Sequence, residues 1–350
     1  MNILRRYMTR GLVVVTGASG YIGSHIVANL LSKGRNVRGT VRDITDSERT
    51  SHLSNLPIGK NGSLEIVEMD LLDENSVNMA ISGCKDVIHT AAAVIIKSKN
   101  PQKDIVDPSV IGTRNVLLAI EKNGEVENFI HTSSTAAIRP KTWEDGIVLT
   151  TETFAEDATL DTNPYGLAKY SAEMMVRRWH KKNLKSGPRM LTIHPCMVFG
   201  PPMSKRHLHG SLTILMMLVK RKLPILLPMQ ISIVDVRDVA EVHVKALSMG
   251  ENGGRYLVVA GEMMWNEMAK LLKKEFPKRR WATKVLPYSL AYLVAALHPK
   301  VTLQWAKTHL KNKLYWDSKP AAKDFQISWR NPATTILETV PEIIENKWDK

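Results

Sequence analysis

Leu12-Val13-Val14-Val15-Thr16-Gly17-Ala18-Ser19-Gly20-Tyr21-Ile22-Gly23 is the stretch that decides the fold. A β-branched apolar run predicts a strand. It passes directly into a glycine turn, and the apolar spacing beyond predicts a helix over about residues 21–33. Turn glycines let a backbone approach a pyrophosphate closely, and the start of the helix offers free N–H groups and the positive end of its dipole. The third glycine, Gly23, allows tight helix–strand packing. A glycine triplet alone is weak, but strand before and helix after make it a dinucleotide-binding turn.

The second half of that signature belongs at the end of the next strand. Asn36–Val41 reads as strand two and ends in Arg42-Asp43. A carboxylate there grips a ribose 2′-hydroxyl, whereas an arginine accommodates a 2′-phosphate. Arg42, with Arg49 further on, points to NADP; Asp43 keeps NAD open. Further strands are expected at 64–68, 86–90, 128–132, 190–194 and 256–260, with helices near 74–82 and 105–122. This alternation predicts an α/β fold, a Rossmann-type doubly wound parallel sheet. The expected organisation is a nucleotide-binding domain over 1–198, a smaller and mostly helical substrate lobe formed by 199–230 and 261–350, and a return to the sheet over 231–260.

Tyr165 and Lys169 are four residues apart on a predicted helix after Asn163-Pro164, so both face the same way. A free phenol has a pKa of about 10, and a nearby ammonium would lower it enough for acid–base work. Phe129 to Thr135 reads as an apolar strand delivering hydroxyls to the C-terminal edge of the sheet, where α/β proteins bind ligands. Ser133, Ser134 and Thr135 are candidates to hold a carbonyl oxygen, or to cap a helix. His131 and His194 read as packed core histidines, and Leu215-Met216-Met217-Leu218 as core.

These pieces, in this order, resemble the extended short-chain dehydrogenase/reductase family (the NAD-dependent epimerase/dehydratase superfamily). The similarity is greatest to the branch of dihydroflavonol reductases, cinnamoyl-CoA reductases and aldehyde and ketone reductases. Thr40 to Asp43, Asp70-Leu71, His89 to Ala92, Asp107 to Thr113, Pro195 to Pro201, Val234 to Ala240 and Asp317 to Lys319 carry that closer likeness. The resemblance implies that Gly17, Ser19, Gly20, Tyr21, Ile22 and Gly23 wrap the pyrophosphate, and that Arg42 and Arg49 take the 2′-phosphate. It implies Asp70 and Leu71 beside the adenine, and Thr90, Ala91 and Ala92 along the cofactor. Pro195 and Val198, with Ser211, would adjoin the nicotinamide. Ser134, Tyr165 and Lys169 become the catalytic set, with Tyr165 and Lys169 also touching the cofactor. The implied activity is NADPH-dependent reduction of an aldehyde or ketone. A 3β-hydroxysteroid dehydrogenase-like enzyme, a sugar-nucleotide epimerase or dehydratase, and an NADP-binding redox-sensing regulator use the same scaffold. Arg139 stands where flavonoid reductases have a substrate-gripping asparagine, which speaks against flavonoids.

Composition narrows the classes. The chain has 350 residues, 44% hydrophobic and 23% charged, as soluble globular proteins do. Its net charge of +14 lies almost wholly beyond residue 150. Without a nucleic-acid motif, that excess reads as solvated helix faces, and no nucleic-acid partner is expected. Two cysteines without metal or disulfide spacing predict a reducing compartment, taken as cytoplasmic. No metal and no transmembrane segment are expected; the apolar run 285–297 is too short to span a bilayer. The family resemblance allows a homodimer.

Overall fold

The computed structural model describes residues 11–91, 98–297 and 303–349. The chain begins by alternating β1 (Val13–Thr16), α1 (Tyr21–Ser32), β2 (Asn36–Val41), α2 (Ser47–Ser54), β3 (Ser63–Glu68), α3 (Glu74–Ile81) and β4 (Asp86–His89). It continues through α4 (Asp107–Asn123), β5 (Asn128–Thr132), β6 (Ile147–Leu149), α5 (Pro164–Lys182), β7 (Arg189–Pro195) and β8 (Met197–Phe199). Then come α6 (Leu212–Val219), β9 (Gln230–Asp235), α7 (Val236–Ala246), β10 (Arg255–Val258), β11 (Gly261–Met264) and β12 (Leu314–Trp316), with further helices after β11.

Seven strands form one parallel sheet in the order β10-β7-β5-β4-β1-β2-β3. β1 shows why. Val13, Val14 and Val15 are fully buried, and their side chains alternate between two layers. Val13 and Val15 join a core with Ile26, Val27, Leu30 and Leu31 of α1 and Val239 and Val242 of α7. Val14 faces the opposite core, with Val77 and Ile81 of α3 and Val116 and Ile120 of α4. Each such valine is worth about 1.5–3 kcal/mol of burial. A strand covered on both faces has to read as an unbroken apolar run.

The expected return to the sheet holds only in part. Gln230–Asp235 pairs with β8 and β11 in a separate three-stranded sheet. α7 and β10 alone come back, α7 onto α1 and β10 onto β7. A second core gathers Phe199, Leu212, Leu215 and Leu218 with Trp265, Leu272, Ile336 and Ile343. Met216 belongs to it, so the methionine-rich run is core, while Met217 packs at its edge. β12 adds a short parallel pairing with β6. Among the described residues, no helix is long and apolar enough to cross a membrane. Both cysteines are free, and no group of side chains there could hold a metal ion.

Candidate active site at the C-terminal edge of the sheet

The glycine turn sits at the C-terminal end of β1. Gly17 has φ +69°, in the left-handed region, and a Cβ there would stand 2.9 Å from the Ala91 Cα. A Cβ on Gly23 would stand 2.2 Å from the Gly17 carbonyl oxygen. No side chain can therefore enter the cradle between turn and helix. α1 begins at Gly20 with no side-chain cap and no acid in its first turn. Its N–H groups and dipole are left for an anionic ligand, so the cradle fits a dinucleotide pyrophosphate. Thr40 ties the turn to β2 by accepting at Oγ1 from the Gly17 N–H (3.2 Å). Thr16 Oγ1 accepts from the N–H groups of Thr90 (3.1 Å) and Ala91 (3.2 Å), and Thr90 Oγ1 donates to the Thr16 carbonyl (2.6 Å). The ends of β1 and β4 are thereby locked side by side. Ala92 lies outside the described residues. The Tyr21 hydroxyl donates to the Gly200 carbonyl (2.6 Å), Ser19 offers its carbonyl to His207, and Ile22 packs on the core.

Arg42 emerges exposed just beyond β2, and Arg49 lies on α2 paired with Asp46 (2.8 Å). The Asp43 carboxylate is engaged by its own turn, accepting from Thr45 N (2.9 Å) and Thr45 Oγ1 (2.6 Å), which holds it below the usual carboxylate range. Asp70 is exposed just past β3. Leu71 packs against Gly112, and its carbonyl accepts from Asn115 Nδ2 (2.9 Å).

The reacting end is built by β5 and α5. Ser134 follows β5 in extended backbone, and its hydroxyl caps the short turn Thr135–Ala137 by accepting from Ala136 N (3.1 Å). Asn163 caps α5 through Gly166 N (2.9 Å) and starts the helix at Pro164, so Tyr165 stands in its first turn. Burial raises the Tyr165 phenol above its ordinary value, and the Ser134 hydroxyl beside it pulls it back down. The lowering expected from Lys169 is not among the causes acting on this phenol; that ammonium donates to the Thr132 carbonyl (3.0 Å). Burial brings Lys169 down to about 8, against the opposing pull of Glu173.

Glu173, one more turn along α5, escaped the sequence reading. Its carboxylate is buried and accepts from Ser133 Oγ (2.8 Å), His194 Nε2 (2.8 Å) and Arg255 Nε (2.6 Å). These partners hold it well below the usual carboxylate range although burial opposes them. The spacing Tyr165-x-x-x-Lys169-x-x-x-Glu173 was the available signal. Ser133 thus anchors Glu173 rather than capping a helix. His131 and His194 are buried, as core histidines should be. Pro195 ends β7 against Val258, and Val198 is packed in the main core from β8. Ser211 stands at the start of α6, and its hydroxyl makes no cap there.

The pattern of the NAD dependent epimerase/dehydratase family matches residues 13–260. A cinnamoyl-CoA reductase, CAD2, of Medicago truncatula is 30% identical over 349 residues, covering 96% of this chain and 97% of that protein. A dihydroflavonol 4-reductase of Hordeum vulgare is 29% identical over 273 residues, 77% of this chain and 76% of its own. Among solved structures, Gre2 of Candida albicans in complex with NADPH superposes with TM-score 0.75 at 26% identity, covering 95% of this chain and 98% of the other. The relatives are reductases by name, and the chain belongs to the NAD-dependent epimerase/dehydratase family.

Proposed function

We propose that the protein reduces an aldehyde or ketone to an alcohol with NADPH, using Ser134, Tyr165 and Lys169. The observation that carries this reading is that Ser134, just past β5, and Tyr165, in the first turn of α5, stand together at the C-terminal edge of the sheet, with the Ser134 hydroxyl acting on the Tyr165 phenol. Lys169 stands one helical turn away, next to the strand ends that flank the glycine cradle.

Gly17, Gly20 and Gly23 would seat the pyrophosphate, with Arg42 and Arg49 at the 2′-phosphate and Lys169 at the nicotinamide ribose. When bound, the reduced nicotinamide supplies a hydride to the carbonyl carbon. Ser134 donates a hydrogen bond to the carbonyl oxygen and orients it. Tyr165 is neutral at pH 7, since burial raises its phenol, and can hand its proton to that oxygen. Lys169, still mostly an ammonium at pH 7, opposes the charge left on the phenol. The engagement of Asp43 Oδ1 by Thr45 supports NADP over NAD, because that oxygen of the carboxylate is already held in its own turn.

The test is absorbance of NADPH and NADH against a panel of neutral and anionic aldehydes, ketones and hydroxysteroids. Tyr165→Phe should retain the fold and lose about 10²–10⁴ in kcat. Turnover indifferent to Tyr165 would remove the mechanism. Tight NADPH binding without turnover would bring forward the regulator or the epimerase.

A further inference from the structure

Arg49 has a companion from far along the chain. Arg49 Nε and an Arg206 guanidinium nitrogen converge on a single atom, Asp46 Oδ2, at 2.8 and 3.2 Å. Arg206 also reaches Glu48 (3.1 Å). It sits in the turn Lys205–Leu208, 160 residues beyond Asp46.

That turn is fastened across the cradle at several points. Tyr21 donates to Gly200 (2.6 Å), and His25 Nε2 meets the Pro201 carbonyl (3.0 Å). Ser204 Oγ donates to the Glu48 carbonyl (3.4 Å), and His207 Nε2 meets the Ser19 carbonyl (3.2 Å). Residues 200–208 therefore form a strap over the glycine turn and the start of α2. Asp46 occupies the N-cap position of α2, yet its side chain caps no N–H of that helix. It has turned to the two guanidinium groups instead.

Two guanidinium groups sharing one carboxylate oxygen make a seat that an anion with more oxygens fills better. A phosphate offers separate oxygens to each fork, and arginine matches it bidentately. The Arg206–Glu48 pair is a weak competitor, since Arg206 is 42% exposed and Glu48 77%, whereas Asp46 is 23% exposed. An exposed surface pair of that kind contributes little.

We propose that Arg206 binds the 2′-phosphate of NADP together with Arg42 and Arg49, so that the phosphate holds the 200–208 strap down on the cofactor groove. This rests on the NADP reading above. NAD, lacking the 2′-phosphate, would leave Arg206 on Asp46 and Glu48.

Calorimetric titration with 2′,5′-ADP and with 5′-AMP, which differ only in the 2′-phosphate, separates the two claims without any turnover. The wild type should prefer 2′,5′-ADP. Arg206→Ala should weaken 2′,5′-ADP about tenfold and change 5′-AMP less than twofold, while Lys205→Ala changes neither. Asp46→Asn, which removes the charge the two guanidinium groups share, should tighten 2′,5′-ADP. Hydrogen exchange of residues 203–208 should slow with 2′,5′-ADP and not with 5′-AMP. Preference for 2′,5′-ADP that survives intact in Arg206→Ala overturns the proposal alone, as does equal weakening of both ligands. A wild type that binds the two equally overturns the NADP reading and this proposal together.

Discussion

Glu173→Gln is the perturbation that most directly probes how the site is held. The carboxylate is 1% exposed and paired with an Arg255 side chain that is 5% exposed. Glutamine keeps the shape and one acceptor, but it removes the charge opposite Arg255 and sets an NH₂ group against one of the present donors. Breaking a buried pair from one side costs about 3–5 kcal/mol, because the remaining charge stays buried. With an unfolding entropy of about 2.1 cal/mol/K per residue, a chain this long should lose about 4–7 °C in Tm.

The variant also has a signature that lost stability would not produce. Glu173 raises Lys169, which burial has brought to about 8. Side chains one turn apart lie about 5–6 Å from each other at Cβ. At an effective dielectric near 20, a charge at that distance is worth about two pH units. Reduction should fall in the wild type as pH rises through about 8, where the ammonium is lost. In Glu173→Gln this alkaline limb should move to lower pH by about two units. The assay is kcat against pH at saturating NADPH, alongside thermal unfolding. A lowered Tm with an unmoved alkaline limb would refute the coupling and leave Glu173 a purely structural anchor.

The glycine cradle makes a second prediction. Gly23→Ala puts a methyl group 2.2 Å from the Gly17 carbonyl, so the turn must shift; the variant should lose about 1–3 kcal/mol and bind ADP more weakly, read by Tm and calorimetry. Acid should act through buried histidines. His89 and His207 are held neutral with values of about 3, and His243 of about 4, mainly by burial. The unfolded chain binds these protons near pH 6.5, and the folded chain does so only far lower. Their contribution is therefore complete above about pH 6.5 and is lost progressively as pH falls toward 3–4. Glu173 adds to the loss only below about 4.5, its ordinary value, since its folded value is depressed. Tm should decline from about pH 6.5 downward; a flat Tm between pH 6.5 and 4.5 would contradict it.

What the sequence made legible follows from how local each signal is. β1 reads as a buried strand because Val13 to Val15 serve two cores at once, and the contact of Gly23 with the Gly17 carbonyl lies within the same dozen residues. Tyr165 and Lys169 share a helix, so a spacing of four suffices to place them together. Gln230–Asp235 misled for the opposite reason. Its apolar pattern fits either sheet, and only pairing with β8 and β11 assigns it. The partners of Glu173 come from the end of β5, from β7 and from β10, so no window of sequence contains them. Arg206 lies in a basic turn that, by composition, resembles every other solvated basic segment of the second half. It acquires a role only where the strap crosses α2 and meets Asp46 beside Arg49. The chemistry proposed for this site therefore rests on short motifs, while the support and ligand grip proposed for it rest on contacts that folding alone creates. Substitutions at Glu173 and Arg206 should accordingly separate the pH dependence of turnover from the discrimination between cofactors, although neither residue belongs to the proposed reacting trio.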